Sequence, residues 1–239
     1  MIAVESGMVL AAGLGRRLRP ITETVPKPLV PIRGRTLLDR ALDHLEAAGV
    51  ATAVVNAYYK AEMVERHLAG RERPKIAISR EESLLDTGGG VQQALPLLGE
   101  AFYVINSDAV WVDGPVPVLT RLARAFDPER HDALLLMHET VWAVGYDGLG
   151  DFFLDPWGVP RRRREREVVP YLFAGVQLLS QRLFEGEAPG AFSMNRLWDK
   201  AIGRGRILCL VHDSAWFDVG TPAGLAATEA RLAERYPST

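Results

Sequence analysis

The sequence is poor in cysteine, in charge imbalance and in long apolar runs. A single cysteine, Cys209, excludes a disulfide framework and any cysteine-ligated zinc cluster. It sits within the apolar run from Ile207 to Val211, which predicts a buried and inert thiol. The formal net charge is only −2, so no global basic field gathers nucleic acid and any cationic site must be local. No apolar stretch reaches the roughly 20 residues that a membrane-spanning helix needs, and the first residues, MIAVESGMVLAAG, carry an acid and no basic leader region. We therefore expect a cytoplasmic protein with no nucleic-acid partner and no membrane partner. His44, His67, His131, His138 and His212 show no metal-ligand spacing, and surface or helix positions are expected for them in preference to zinc.

What is present is a chain of 239 residues, 48% of them apolar, enough for a substantial core. Short β-rich apolar runs at residues 8–12, 52–56, 75–79, 101–106 and 133–137 alternate with segments of helical period. That alternation predicts an α/β fold with a mostly parallel central sheet flanked by helices. Within residues 36–48, Leu37, Leu38, Ala41, Leu42, Leu45 and Ala48 share one helical face, and Gly49 supplies the stop. Further helices are expected at 61–68, 90–97, 195–202 and 222–234. From about Gly145 the texture changes to an antiparallel, sheet-rich C-terminal portion. No repeat and no flexible linker divides the chain, so one domain over residues 1–239 is expected.

Residues 10–31 read LAAGLGRRLRPITETVPKPLVP. Two phosphate-binding fingerprints fail here: the dinucleotide motif needs a third glycine where Leu18 stands, and the P-loop needs a Gly-Lys-Ser/Thr ending that is absent. What remains is a glycine-rich turn after a strand, where open parallel sheets bind ligands and backbone N–H groups can reach phosphate oxygens. Arg16, Arg17, Arg19 and Lys27 supply charge, and four prolines stiffen the loop. Such glycines are also common turn residues and scattered arginines are usually solvated, so composition leaves both readings open. Asp108, ending AFYVINSD, and Asp218, in AWFDVG, each follow hydrophobic residues that would fix the backbone. A lone aspartate there is more often a cap, but two carboxylates suit magnesium, which keeps several waters and is commonly held by one or two carboxylates plus substrate phosphates.

The order of residues is more specific than the composition. Leu10 to Thr22 followed by Pro26-Lys27-Pro28-Leu29 resembles the signature LAAGxGxRxxPxT…PKP of sugar-1-phosphate nucleotidyltransferases, and the resemblance continues through TGGGVQQALPLL (87–98), INSD (105–108), FAGV (173–176) and WFDVGTP (216–222). It implies a Rossmann-like nucleotidyltransferase fold, with residues 1–140 mainly nucleotide-binding and 141–239 mainly sugar-phosphate-binding. It also implies two partners, a nucleoside triphosphate and a sugar 1-phosphate, whose phosphate attacks the α-phosphorus and releases pyrophosphate. UTP is the first expectation, with GTP or CTP as alternatives. By resemblance Arg17, Lys27 and Asp108 are catalytic, and Asp108 and Asp218 hold magnesium. Leu10, Ala11, Ala12, Gly13, Gly15, Arg16, Asn56, Glu81, Thr87, Gly88, Gly89 and Asn106 are implied for the nucleotide, with the glycines of 88–90 at a helix start where a flat base could lie on bare backbone. Gly150, Asp151, Phe173 and Gly175 are implied for the sugar.

Ser107 stands where the family pattern has glycine, which bears on backbone approach to the ribose. The run RRRREREVV (161–169) is expected to be a solvated hairpin rather than an anion site. The short stretch after Asp218 leaves no room for a β-helical acyltransferase domain, so a monomer or small homo-oligomer is expected. A catalytically silent nucleotide-binding regulator is the reading from another class.

Overall fold

Residues 6–10 are buried on both faces, as a central strand of a helix-covered sheet must be. In the computed structural model, which describes residues 2–236, they begin a long alternation of strands and helices. In chain order these are β1 (Ser6–Leu10), α1 (Ile21–Thr24), β2 (Pro31–Ile32), β3 (Arg35–Thr36), α2 (Leu37–Ala47), β4 (Thr52–Ala57), α3 (Ala61–Leu68), β5 (Lys75–Arg80), α4 (Asp86–Ala94), β6 (Ala101–Asn106), β7 (Ala109–Trp111), α5 (Val118–Ala125), β8 (Ala133–Glu139), β9 (Phe152–Leu154), β10 (Pro160–Arg162), β11 (Tyr171–Ser180), α6 (Met194–Gly203), β12 (Ile207–Val211), β13 (Trp216–Asp218) and α7 (Pro222–Arg235).

The main sheet runs β10-β9-β11-β6-β1-β4-β5, with β8 joined to β11 and β12 to β8. Strands β5, β4, β1 and β6 are parallel, whereas β11 is antiparallel to β6, β8 and β9, so the change of texture after Gly145 is a real change of pairing. β1 lies between β4 and β6. The chain leaves it toward β4 and later returns to its other side, which makes the carboxyl end of β1 a topological switch point, where open sheets leave a crevice for ligands.

Alternate residues of β1 enter opposite cores. Val9 packs with Leu38, Leu42 and Leu45 of α2 and with α3 and α5, and Met8 packs with Val91 of α4 and Leu197 and Trp198 of α6. A third cluster joins Leu18, Ile32 and Leu37 to Val110, Phe217, Val219 and Leu232. Leu18 is fully buried there, and burial of that kind stabilises by about 1.5–3 kcal/mol. It anchors the arginine-rich loop to the small β7–β13 ribbon, in which Asp218 stands opposite Ala109, the residue after Asp108.

Three expectations are corrected. α4 begins at Asp86, not Gly90, so Gly88 and Gly89 lie inside a helix. They are there for close packing: a β-carbon at Gly89 would sit 2.1 Å from the carbonyl oxygen of Gly190, and both N–H groups donate to the carbonyl of Phe192. The helical period at 90–97 breaks at Leu95 into a 3-10 turn containing Pro96, whose ring cannot extend the helix. His131, His138 and His212 are buried rather than superficial, and burial pushes His212 below the ordinary imidazole range. Cys209 is buried as expected, and burial pushes its thiol up. Among the described residues no helix is long and apolar enough to cross a membrane.

Candidate active site

The signature loop is tied to itself before it meets any ligand. Gly15 adopts φ +61°, a left-handed conformation that favours glycine, and a β-carbon there would lie 2.8 Å from Cγ2 of Thr22. The buried Thr22 hydroxyl donates to the Gly15 carbonyl at 2.8 Å, and the Leu18 N–H donates to the same oxygen at 3.0 Å. The threonine of the signature is thus a loop fastener. The turn presents Gly13, Arg16 and Arg17 to a cavity of about 670 Å³ at the carboxyl ends of the parallel strands. Arg19 is exposed but does not line it.

Leu10, Ala12, Gly15, Lys27, Asn56, Glu81, Thr87, Asn106 and Asp108 also line this cavity. Asn56 and Glu81, buried at 3% and 4% exposure, form a polar brace beneath it. The Ala11 N–H donates to Asn56 Oδ1 at 2.7 Å, Asn56 Nδ2 donates to Glu81 Oε1 at 2.7 Å, and Leu85 N–H donates to Glu81 Oε2 at 3.0 Å. Ala11 therefore contributes through its backbone, below the surface. Ser107 lines the cavity and its N–H donates to the Leu10 carbonyl at 3.1 Å, so the serine adds a hydroxyl without freeing the backbone.

Lys27 Nζ donates to Asp108 Oδ2 at 2.5 Å across 81 residues of sequence. Burial opposes charge on Asp108, but the Lys27 ammonium, helped by Arg17, outweighs it and holds the carboxyl below the usual carboxylate range. Asp218 does not line the cavity directly. Gly220, which does, connects it: a β-carbon at Gly220 would lie 2.8 Å from Arg17 Nη2 and 2.8 Å from Asp218 Oδ1, and the Gly220 N–H donates to that oxygen. Two cations and two carboxylates thus meet at one end of the cavity.

These carboxylates fit a hard cation. Asp108 Oδ2 accepts from Lys27 and Asp218 Oδ1 from Gly220, and because an ionised carboxylate offers about four lone-pair sites each keeps acceptor capacity for a metal. Among the described residues no group of three or more His, Cys, Asp or Glu side chains could form a complete protein cage. Such a two-carboxylate donor set suits magnesium completed by water and phosphate better than a structural ion.

A second cavity of about 290 Å³ shares Leu10, Asp86, Thr87 and Asn106 with the first. Asp151 and Phe173 line it, and Asp151 Oδ2 accepts from the Phe173 N–H at 2.9 Å. Gly150 and Gly175, expected at the sugar, are in the lining of neither cavity and shape the backbone beside the second one. Gly150 packs on the Val169 carbonyl, and Gly175, at φ +79°, forms the irregularity in β11 where pairing passes from β8 residues opposite Phe173 to those opposite Gln177. Gly88 and Gly89 line neither cavity. Sequence reasoning missed Gln177, Asn195 and Trp198, which belong to no motif, and Arg162, which belongs to the run expected to be solvated.

The fold, the switch-point cleft and the paired charges define a nucleotidyl transferase. Residues 6–141 match the nucleotidyl transferase family, and the chain belongs to that family. It is 41% identical over 238 residues to N-acetylmuramate alpha-1-phosphate uridylyltransferase of Caulobacter vibrioides, covering 97% of this chain and 98% of the relative. It is 32% identical over 235 residues to the enzyme of the same name from Neisseria meningitidis serogroup B, covering 93% and 96%. UDP-glucose pyrophosphorylase complexed with UDP-glucose shares the fold, with a TM-score of 0.80 at 19% identity over 98% of this chain and 100% of that one.

Proposed function

We propose that this chain transfers the uridylyl group of UTP to N-acetylmuramate α-1-phosphate, giving the UDP-sugar and pyrophosphate, as a cytoplasmic step of peptidoglycan recycling. The observation that carries this reading is the meeting of Arg17, Lys27, Asp108 and the Gly220-linked Asp218 at one end of a cavity that continues into a second. Two anionic ligands must be brought together, and catalysis of this kind is mainly positioning and charge neutralisation. A sugar-phosphate oxygen attacks the α-phosphorus, and the bond to the pyrophosphate oxygen breaks. Arg17, at the loop that presents Gly13 and Arg16, neutralises charge on the leaving group. Lys27 is held by Asp108 and bridges the two phosphates. Asp108 and Asp218 would hold magnesium, which when bound supplies Lewis-acid polarisation of the α-phosphate. The Asn56–Glu81 brace keeps the base-side wall rigid.

The test is pyrophosphate release from a matrix of UTP, GTP, CTP and dTTP against N-acetylmuramate, N-acetylglucosamine and mannose 1-phosphates, with magnesium. Turnover is expected to be highest for UTP with N-acetylmuramate 1-phosphate. Preference for GTP with mannose 1-phosphate would replace the substrates, and nucleotide binding without turnover anywhere in the matrix would replace the enzyme with a silent regulator.

A further inference from the structure

One cationic side chain lines the smaller cavity, and four neighbouring groups engage it. Arg162, at the end of β10, lines the wall formed by β10 and α6. Its Nε donates to Asp199 Oδ1 at 2.7 Å and its Nη2 to the Asn195 carbonyl at 3.0 Å. Its guanidinium carbon lies 4.7 Å from the centre of the Phe152 ring and 5.4 Å from that of Trp198. Trp198 is itself fixed, because its indole N–H donates to buried Gln177 Oε1 at 2.9 Å. Among the described residues no hydrogen bond engages Nη1 of Arg162. A surface arginine that only solvates a hairpin has no need of two rings, a carboxylate and a carbonyl to hold it.

The other charges in this cavity are the carboxylates of Asp86 and Asp151. Asp86 accepts from the Thr87 N–H and Asp151 from the Phe173 N–H, so both remain acceptors that repel a second carboxylate. A ligand carrying its own carboxylate is thereby turned away from those positions and toward Arg162. The amino-terminal turn of α6, with Asn195 on the cavity, adds to the same wall the positive end of a ten-residue helix.

We propose that Arg162 is a specificity-determining residue that reads an acidic substituent on the sugar ring, using the free edge of its guanidinium. This rests on the uridylyl-transfer reading above, in which the sugar bears the 3-O-lactyl carboxylate of muramic acid. A neutral amino sugar, lacking that group, gains nothing from Arg162, whose Nε keeps its bond to Asp199. A charge-assisted hydrogen bond of this kind corresponds to roughly a 10- to 100-fold effect on substrate use.

The experiment compares N-acetylmuramate 1-phosphate with N-acetylglucosamine 1-phosphate, which differ only by the lactyl group, in the wild type, Arg162→Gln and Arg162→Lys. Expected for Arg162→Gln is a kcat/KM for the acidic sugar about 10- to 100-fold lower, expressed mainly in KM, with turnover of the neutral sugar and the KM for UTP unchanged. Arg162→Lys is expected to recover part of the loss. Unchanged turnover of the neutral sugar shows that the variant is folded. Equal loss for both sugars, or no loss for the acidic one, would overturn the role of Arg162. Failure of the wild type to use N-acetylmuramate 1-phosphate would instead overturn the reading on which it rests.

Discussion

The larger cavity is walled by a contiguous loop and by the ends of parallel strands, with Arg16, Arg17, Lys27 and Asp108 in its lining, whereas the smaller one adds side chains from β9, β10, β11 and α6 to the residues the two share. The first depends on backbone shape and net charge, the second on aromatic planes and single polar groups. Chemistry common to a family is suited to the first kind of wall, because phosphates are always present. Discrimination among sugars is suited to the second, because side chains can change without disturbing the sheet.

The sharpest way to break this division is at Arg17. Arg17→Ala is expected to lower kcat by about 10²–10³, equivalent to about 2.7–4 kcal/mol of transition-state stabilisation, with little change in KM for the sugar phosphate. Steady-state kinetics measure it, and a loss confined to sugar KM would put Arg17 on the wrong side of the comparison. Trp198→Phe probes the smaller cavity. It leaves buried Gln177 Oε1 without its donor, which costs about 1–3 kcal/mol, and it loosens the seat of Arg162. A raised KM for sugar phosphate with an unaltered Kd for UTP is expected, read by kinetics and calorimetry, and equal weakening of both ligands would show the two walls to be one unit.

The smallest effect lies outside both cavities and serves as a control. Asp113 is half-buried, and although burial opposes its charge, contact with His44 at 3.4 Å and hydrogen bonds from Val118 N–H and Trp111 Nε1 hold its carboxyl down at about 2. A depressed folded-state value contributes stability that is present above the ordinary carboxylate range and is lost as pH falls toward 2. Asp113→Asn should therefore cost about 1–2 kcal/mol at pH 7 and nothing near pH 2, with turnover unchanged. Urea midpoints at the two pH values check the sign. A deficit that grows on acidification would contradict it.

Much of the larger cavity was legible because its residues sit in unbroken motifs: the loop from Leu10 to Lys27, the strand end at Asp108 and the WFDVG turn. Strand–helix alternation was legible for the same reason, since a period of two or 3.6 is a local property. Arg162 was not, because a run of arginines beside glutamates looks the same whether it hangs in water or lies across two aromatic rings. Gly88 and Gly89 show a related ambiguity: bare backbone suits a flat ligand and also a close-packed neighbour, and the approach of Gly190 and Phe192 appears only in the fold. Thr22 could have been read as polar, but its bond to Gly15 depends on how the loop closes.

By itself the sequence determined the secondary-structure alternation, the absence of disulfides and the identity of the charges offered to a phosphate, because each follows from residue type and local spacing. Tertiary structure alone decided that Lys27 meets Asp108, that Gly220 joins Asp218 to Arg17, and that Arg162 is pinned at the edge of a cavity. Those contacts join residues far apart in the chain, and their distances are set by how two buried cores and a small third one pack against a single sheet.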